Sequence, residues 1–210
     1  MRTPDRSTLG SPADARDTPR DTLIRRLWPS DRSAVEAHFL RLDANTRRDR
    51  FMHAMGDAAL LAYARRAVGA DGLIFGCYVD GTLRGVAELR PTSTREAGLG
   101  QTAEAAFALE RPFRRLGLGT RLFRRLARAA RARSVRRLKV RCLAENRAMQ
   151  ALANKVGSDL VLEDYETGGE LRLAGPTPLS LWREGVEEGL DFTLAAAAAA
   201  VLPAAAPPRA

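Results

Sequence analysis

Six consecutive residues, Arg114-Arg115-Leu116-Gly117-Leu118-Gly119, have the make-up of a loop that cradles a phosphate. Glycines at 117 and 119 let the backbone approach an anion with no Cβ in the way. A helical pattern follows, and a helix N-terminus offers unpaired N–H groups and roughly half a unit of positive charge. Thr102 to Leu109 reads as a strand, so the loop lies between a strand and a helix, where such a motif has to lie. It is not a Walker loop, because no Gly-Lys-Ser/Thr follows, and it is not the Gly-x-Gly-x-x-Gly of dinucleotide sites. The competing reading is an arginine-rich turn that merely starts a helix.

Other chemistry-bearing residues are sparse. His38 and His53 stand alone in helix-like segments, and no cysteine or histidine pair has metal-ligand spacing, so no metal is expected. Cys77 and Cys142 lie in apolar, strand-like runs and read as buried thiols of a cytoplasmic protein. Apolar residues make up 45% of the 210, enough for a sizeable core. No apolar run reaches the length of a membrane span of about 18 residues, and the first 20 residues lack the apolar centre of a secretory signal.

The net charge is +9, and its placement says more than its size. Residues 111–141 hold 13 Lys/Arg and no acid, while the rest of the chain carries 21 basic against 25 acidic residues. The positive charge is therefore local and implies a local anionic partner. Only two of the 34 basic residues are lysine, a skew that points to coding bias and weakens arginine abundance as a signal.

The elements around the loop follow from periodicity. Residues 1–21 read as a disordered tail. A strand over Thr22 to Leu27 precedes turn and capping chemistry at Pro29-Ser30-Asp31. One helix follows with Val35, His38, Phe39 and Leu42 in register, and a second runs from Asp57 to Val68. Asp80-Gly81 joins Leu73–Val79 to Leu83–Leu89 as a hairpin. After a polar loop come the strand 102–109, the glycine loop, and a helix with Leu122, Phe123, Leu126 and Ala130 on its apolar face. A strand over Arg137–Cys142, a helix over Asn146–Lys155 closed by Gly157, and a last strand pair (Ser158–Leu162 and Glu170–Leu173) complete a domain over 22–174. Beyond Gly175-Pro176, Leu179, Trp182, Val186 and Leu190 recur at helical spacing. They predict a helix packed on its own domain or on a second copy in a homodimer. Residues 195–210, rich in alanine and proline, read as a poorly ordered tail. The order of elements predicts an α/β fold with a mixed, mostly antiparallel sheet, in which Thr102 to Cys142 is the parallel crossover.

Residues 102–157 resemble the core of the GNAT superfamily of N-acetyltransferases. The cofactor motif there is Gln or Arg, two residues, Gly, one residue, then Gly or Ala, and Arg114, Gly117 and Gly119 match it. Asn146, followed by Met149, Leu152, Lys155 and Gly157, resembles the second cofactor element. Phe39-Leu40-Arg41-Leu42 and Arg47 to Phe51 are similar to the subgroup that contains bacterial protein lysine acetyltransferase domains. The resemblance spans residues 22–174 and implies six or seven strands flanked by helices, with a splayed parallel pair at an acetyl-CoA cleft. Pantetheine would then pair with the edge of Phe107, Ala108 and Leu109. The pyrophosphate would sit on N–H groups of Arg115, Leu116, Gly117, Leu118, Gly119 and Thr120, with Arg114, Arg115 and Arg121 free to pair with phosphates. Asn146 would hydrogen-bond the pantetheine arm or the cofactor beyond it.

The implied reaction is attack of an amine on the thioester. An alkylammonium, with a pKa of about 10, must lose a proton first. Glu104, in the cleft strand among small apolar residues where desolvation would raise its pKa, is the expected base; its bland alternative is an edge ion pair. A strand N–H near Leu109 would hold the oxyanion. Where many relatives carry a general-acid tyrosine, seven residues after the asparagine, this chain has Ala153, with Tyr165 as the substitute. The CoA thiol is acidic enough to leave as thiolate, so a dedicated acid is not required. Glu145, Asp164 and Glu166 are further carboxylates for a cationic acceptor, which would be a small amine or a protein lysine. Two other readings compete: a non-catalytic acyl-CoA-binding regulator, and a nucleic-acid module built on the 111–141 block. The second lacks interleaved aromatics, since only Phe113 and Phe123 occur there.

Overall fold

The computed structural model describes residues 21–69, 72–92, 98–155, 159–163 and 166–201. Gly157, Asp164, Tyr165 and the two expected tails over 1–20 and 202–210 lie outside the described residues. In chain order the elements are β1 (Thr22–Arg26), α1 (Arg32–Arg41), α2 (Ala44–Phe51), α3 (Asp57–Ala67), β2 (Leu73–Val79) and β3 (Thr82–Pro91). They continue with β4 (Thr102–Leu109), α4 (Leu118–Ala132), β5 (Arg137–Leu143), α5 (Arg147–Lys155), β6 (Asp159–Glu163), β7 (Glu166–Arg172) and α6 (Pro178–Val201). One sheet of seven strands runs β1-β2-β3-β4-β5-β7-β6, and β4–β5 is its parallel pair. The mixed, mostly antiparallel α/β fold is thus as expected.

Local chemistry explains most boundaries. Asp80 and Gly81 both take positive φ, 49° and 71°, the tight turn that joins β2 to β3. Strand alternation divides the core. Ala103 and Ala105 of β4 face the layer containing Leu118, Leu122, Phe123, Leu126 and Met149. Ala108, Val86 and Leu83 face the opposite layer, with Val35, Phe39, Leu60 and Ala64 of α1 and α3. Cys77 and Cys142 are free and buried, as read.

Two elements depart from the expectations. The basic stretch before Phe51-Met52 is a helix, α2, whose start is capped by Asp43: its carboxylate accepts from the Thr46 N–H (3.0 Å) and the Thr46 hydroxyl (2.6 Å). Thr46 is its one buried residue, so no apolar periodicity marks it in the sequence. The second correction concerns the C-terminus. The helix there continues through Val201, so residues 195–201 are not tail, in keeping with alanine's helix propensity. Its apolar stripe also does not dock it. Leu179, Trp182 and Leu190 are 72%, 68% and 60% exposed, and α6 rests on α4 through acids instead.

A splayed strand pair and a helix N-terminus

The parallel ladder between β4 and β5 covers Thr102↔Arg137 to Ala105↔Val140 and then stops. Beyond it β4 stays on β3, with Ala106 opposite Glu88 and Leu109 opposite Gly85, while β5 stays on β7. The two strands therefore diverge from Ala106 and Arg141 onward. Between them the backbone of Ala106, Phe107, Ala108 and Leu109 has an edge with no ladder partner, able to pair with an extended chain. Phe107 stacks on Phe123 of α4 (5.2 Å between centroids) and fixes the strand relative to the helix.

The glycine loop follows the open end of this V, beyond Leu109. Arg115 and Gly117 both adopt positive φ, 63° and 77°, and Gly117 is the N-cap of α4. The first helical bond runs from the Arg121 N–H to the Gly117 carbonyl (3.1 Å), so the N–H groups of Leu118, Gly119 and Thr120 have no partner within the helix. A Cβ on Gly117 would meet nothing within 4 Å, so its requirement is conformational; a Cβ on Gly119 would reach Leu152 of α5 at 3.7 Å. Arg115, Arg121 and Arg124 are exposed on the same end of the helix. This combination, an unpaired strand edge running into a positively charged helix N-terminus, suits a long ligand with an amide-bearing arm and a phosphate.

Arg114 is held within the protein by two contacts. Its Nε donates to the Leu109 carbonyl (3.2 Å) and an Nη to the Thr46 hydroxyl (2.7 Å), which ties the loop to the end of β4 and to α2. The Arg48–Glu145 ion pair tethers α2 on the other side, so α2 bridges β4 and β5 over the V. Glu145, one of the carboxylates considered for the acceptor, is thereby engaged. The side-chain oxygen of Asn146 accepts from the Met149 N–H (3.0 Å) and caps α5, leaving its amide NH2 for a ligand. Ala153 is fully buried against the core.

Glu104 lies in the last paired stretch of β4, opposite Lys139 of β5. By strand alternation it faces the α1–α3 side, with Ala106 and Ala108. Its surroundings are not the apolar ones expected. Arg141 Nε stands 3.2 Å from the carboxylate, which is 31% exposed. A second carboxylate on that face was missed by reading the sequence. Glu88 of β3, opposite Ala106, is 2% exposed and receives Arg50 (2.5 Å), Arg90 (2.6 Å) and the Tyr63 hydroxyl (2.7 Å). Burial works against its charge, but Arg50 and Arg90 outweigh it and hold the carboxyl below the usual range. Burial pushes the Tyr63 phenol up, so it remains a donor. A lone glutamate between Ala87 and Leu89 was the available signal.

A third carboxylate, Glu110, anchors the end of β4. It accepts from Arg41 (2.9 Å) and Arg84 (3.1 Å) and lies 3.2 Å from His38 Nδ1. Burial opposes the charge of Glu110, and the bonds to His38 and Arg41 overcome it, so its carboxyl titrates low. Burial also lowers His38, more than Glu110 raises it.

The thirteen basic residues of 111–141 have separate jobs. Arg125 of α4 is buried and binds Glu184 (2.9 Å) and Asp191 (3.0 Å) of α6. Arg128 takes Glu187 (3.2 Å) and Arg133 takes Glu188 (2.9 Å). Three of the thirteen therefore clamp α6 rather than facing a ligand.

A parallel pair splayed over a helix N-terminus marks an acyl-CoA-dependent transferase. The chain belongs to the acetyltransferase (GNAT) family, whose model matches residues 34–157. It is an acyltransferase, and acetyl-CoA is its acyl donor. No curated protein matches it by sequence. Solved structures share the fold at low identity. The GNAT domain of S. lividans PAT is 16% identical, with a TM-score of 0.62, covering 71% of this chain and 89% of that one. An N-acetyltransferase from Staphylococcus aureus is 18% identical, with a TM-score of 0.58, covering 73% and 99%. A Salmonella typhimurium structure with acetyl-CoA is 16% identical, with a TM-score of 0.55, covering 74% and 96%. Among the described residues no helix is long and apolar enough to cross a membrane.

Proposed function

We propose that this enzyme moves the acetyl group of acetyl-CoA to a primary amine, on a small molecule or a protein lysine, by direct attack on the thioester. The observation that carries the reading is the end of the β4–β5 ladder at Ala105, one residue beyond Glu104 and on the same strand that leads to the glycine loop. Donor edge, carboxylate and helix N-terminus then lie along one strand. In this reading the free edge of Phe107, Ala108 and Leu109 pairs with the pantetheine arm. The N–H groups from Arg115 through Leu116, Gly117, Leu118 and Gly119 to Thr120 take the pyrophosphate, with Arg115 and Arg121 beside it. The amide of Asn146 reaches the arm from the opposite strand.

Glu104 takes the proton that the acceptor ammonium must lose, directly or through a water. Arg141 stands 3.2 Å from that carboxylate. As nitrogen bonds to the carbonyl carbon, an N–H of the β4 edge near Leu109 holds the oxyanion. Collapse breaks the C–S bond, and the thiolate leaves without a dedicated acid, consistent with alanine at 153. Two buried cysteines that form no disulfide with each other support a cytoplasmic setting.

The test has two parts. Saturating acetyl-CoA should raise the melting temperature, because a ligand that binds only the folded state stabilises it. A panel of amines with a thiol-release assay should then show turnover with at least one primary amine. Absence of any shift would remove the donor site, and a shift without turnover on small amines or lysine peptides would remove the acceptor class.

A further inference from the structure

Of the nine large apolar side chains exposed among the described residues, seven lie on α6: Leu179, Leu181, Trp182, Val186, Leu190, Phe192 and Leu194. Leu179, Trp182, Val186 and Leu190 follow one another at three or four residues and form one stripe. The amphipathicity of this helix is inverted. All its acids, Glu184, Glu187, Glu188 and Asp191, turn toward α4, and Arg183 is its single basic residue. Asp191 also accepts from the Arg26 N–H (2.8 Å), and Glu188 pairs with Arg26. Rolling α6 to bury the stripe would leave Arg125, at 4% exposure, without its carboxylates. The helix is thus locked with its apolar side outward.

The geometry points to a second copy of this chain as the occupant: α6 pairs antiparallel with α6 of another molecule about a two-fold axis near Val186. Three observations favour this partner. The four stripe residues are apolar and Arg183 on their flank is the single charge beside them, too little to match a charged surface. The end segments 1–20 and 202–210 offer only Met1, Leu9 and Leu202 as large apolar residues, too little to cover it. Its size is also sufficient. Trp182 presents roughly 150 Å² and the three aliphatic side chains on the order of 100 Å² each, which gives about 900 Å² across a pair, the low end of specific interfaces.

Symmetry sets the register. An isologous contact must be self-complementary, and a two-fold rotation about Val186 sets Trp182 opposite Leu190 of the other copy, beside its Gly189. Gly185 and Gly189 have open space where a Cβ would stand, which leaves room for the indole. Antiparallel helices also oppose their dipoles favourably.

Sedimentation equilibrium of the whole chain from about 1 µM to about 1 mM tests this. The expected result is a rise from 22.9 kDa toward twice that mass. Trp182→Glu and Leu190→Lys, both at exposed positions, should each weaken association at least tenfold without changing helix content or the acetyl-CoA-induced thermal shift. Val186→Cys should cross-link to itself under mild oxidation, because the native cysteines are buried; Ala58→Cys on α3 should not. A monomer over the whole range overturns the proposal. So does a dimer that neither substitution weakens, or one that Val186→Cys fails to link. A monomer that instead floats with anionic vesicles would assign the stripe to a lipid surface and overturn it equally. None of these outcomes depends on acetyl transfer, so the two readings fail separately.

Discussion

At the scale of single residues, Gly117 and Glu104 carry the most specific expectations. Gly117 holds φ 77° in open space, so its substitution tests backbone conformation without a steric clash. Gly117→Ala should cost about 1–2 kcal/mol in stability and lower acetyl-CoA affinity, read by denaturant unfolding and by thermal shift against donor concentration. Glu104→Gln should lower kcat at neutral pH by about a hundredfold or more while the donor-induced thermal shift persists. An unchanged kcat would return Glu104 to a plain ion pair with Arg141. Arg114→Ala should loosen the loop through the lost Leu109 and Thr46 contacts, so its effect should appear in stability without donor as well as in donor binding.

At the scale of elements, α4 has two opposed roles. Its N-terminus faces the ligand cleft, and its middle grips α6. Arg125→Met would leave Glu184 and Asp191 buried without their partner, and such losses cost about 3–5 kcal/mol. Denaturant unfolding followed by circular dichroism should report this loss. Adding Glu184→Leu and Asp191→Leu should recover much of it, since an apolar replacement of a whole buried ionic cluster is often neutral. A variant with Arg128→Ala alone should lose less than about 1 kcal/mol, because that ion pair is largely exposed. The helix α2 belongs to this scale too. No apolar periodicity marks it in the sequence, and its identity as a brace over the V emerges only from Arg114–Thr46 and Arg48–Glu145.

At the scale of the whole molecule, buried titratable groups shape the pH profile. His38 titrates below its ordinary value of about 6.5, so the unfolded chain takes up its proton first as pH falls. Its contribution is complete above about pH 6.5 and is lost as pH drops from there toward the folded value. Glu88 and Glu110 titrate below their ordinary range of about 4.3. Their contribution is complete above that range and is lost as pH falls through their folded values. Melting temperature should therefore decline in two stages, below about pH 6.5 and again below about pH 4. His38→Gln should flatten the first stage and leave the second. A first stage that persists in this variant would rule out His38 as its source.

Much of this protein was determined by local chemistry that a sequence displays. The Asp80-Gly81 turn, the limits of β4, the helix opened by Gly117 and the free cysteines all follow from residue type and short-range spacing. The family motif adds the donor site because it uses backbone N–H groups, which need only glycines in the right order. Tertiary structure decided matters that depend on residues far apart in the chain. Glu88 meets Arg50 and Tyr63 only because β3 packs under α2 and α3. Glu104 gained Arg141 through the parallel pairing of β4 with β5. The glycine loop, read first as a phosphate cradle with arginines to spare, opens α4 with N–H groups unpaired within the helix, while Arg114 braces it and Arg125, Arg128 and Arg133 hold α6. Charge partners are chosen by the folded arrangement because an ion pair needs proximity, and proximity across tens of residues is not written in any local pattern.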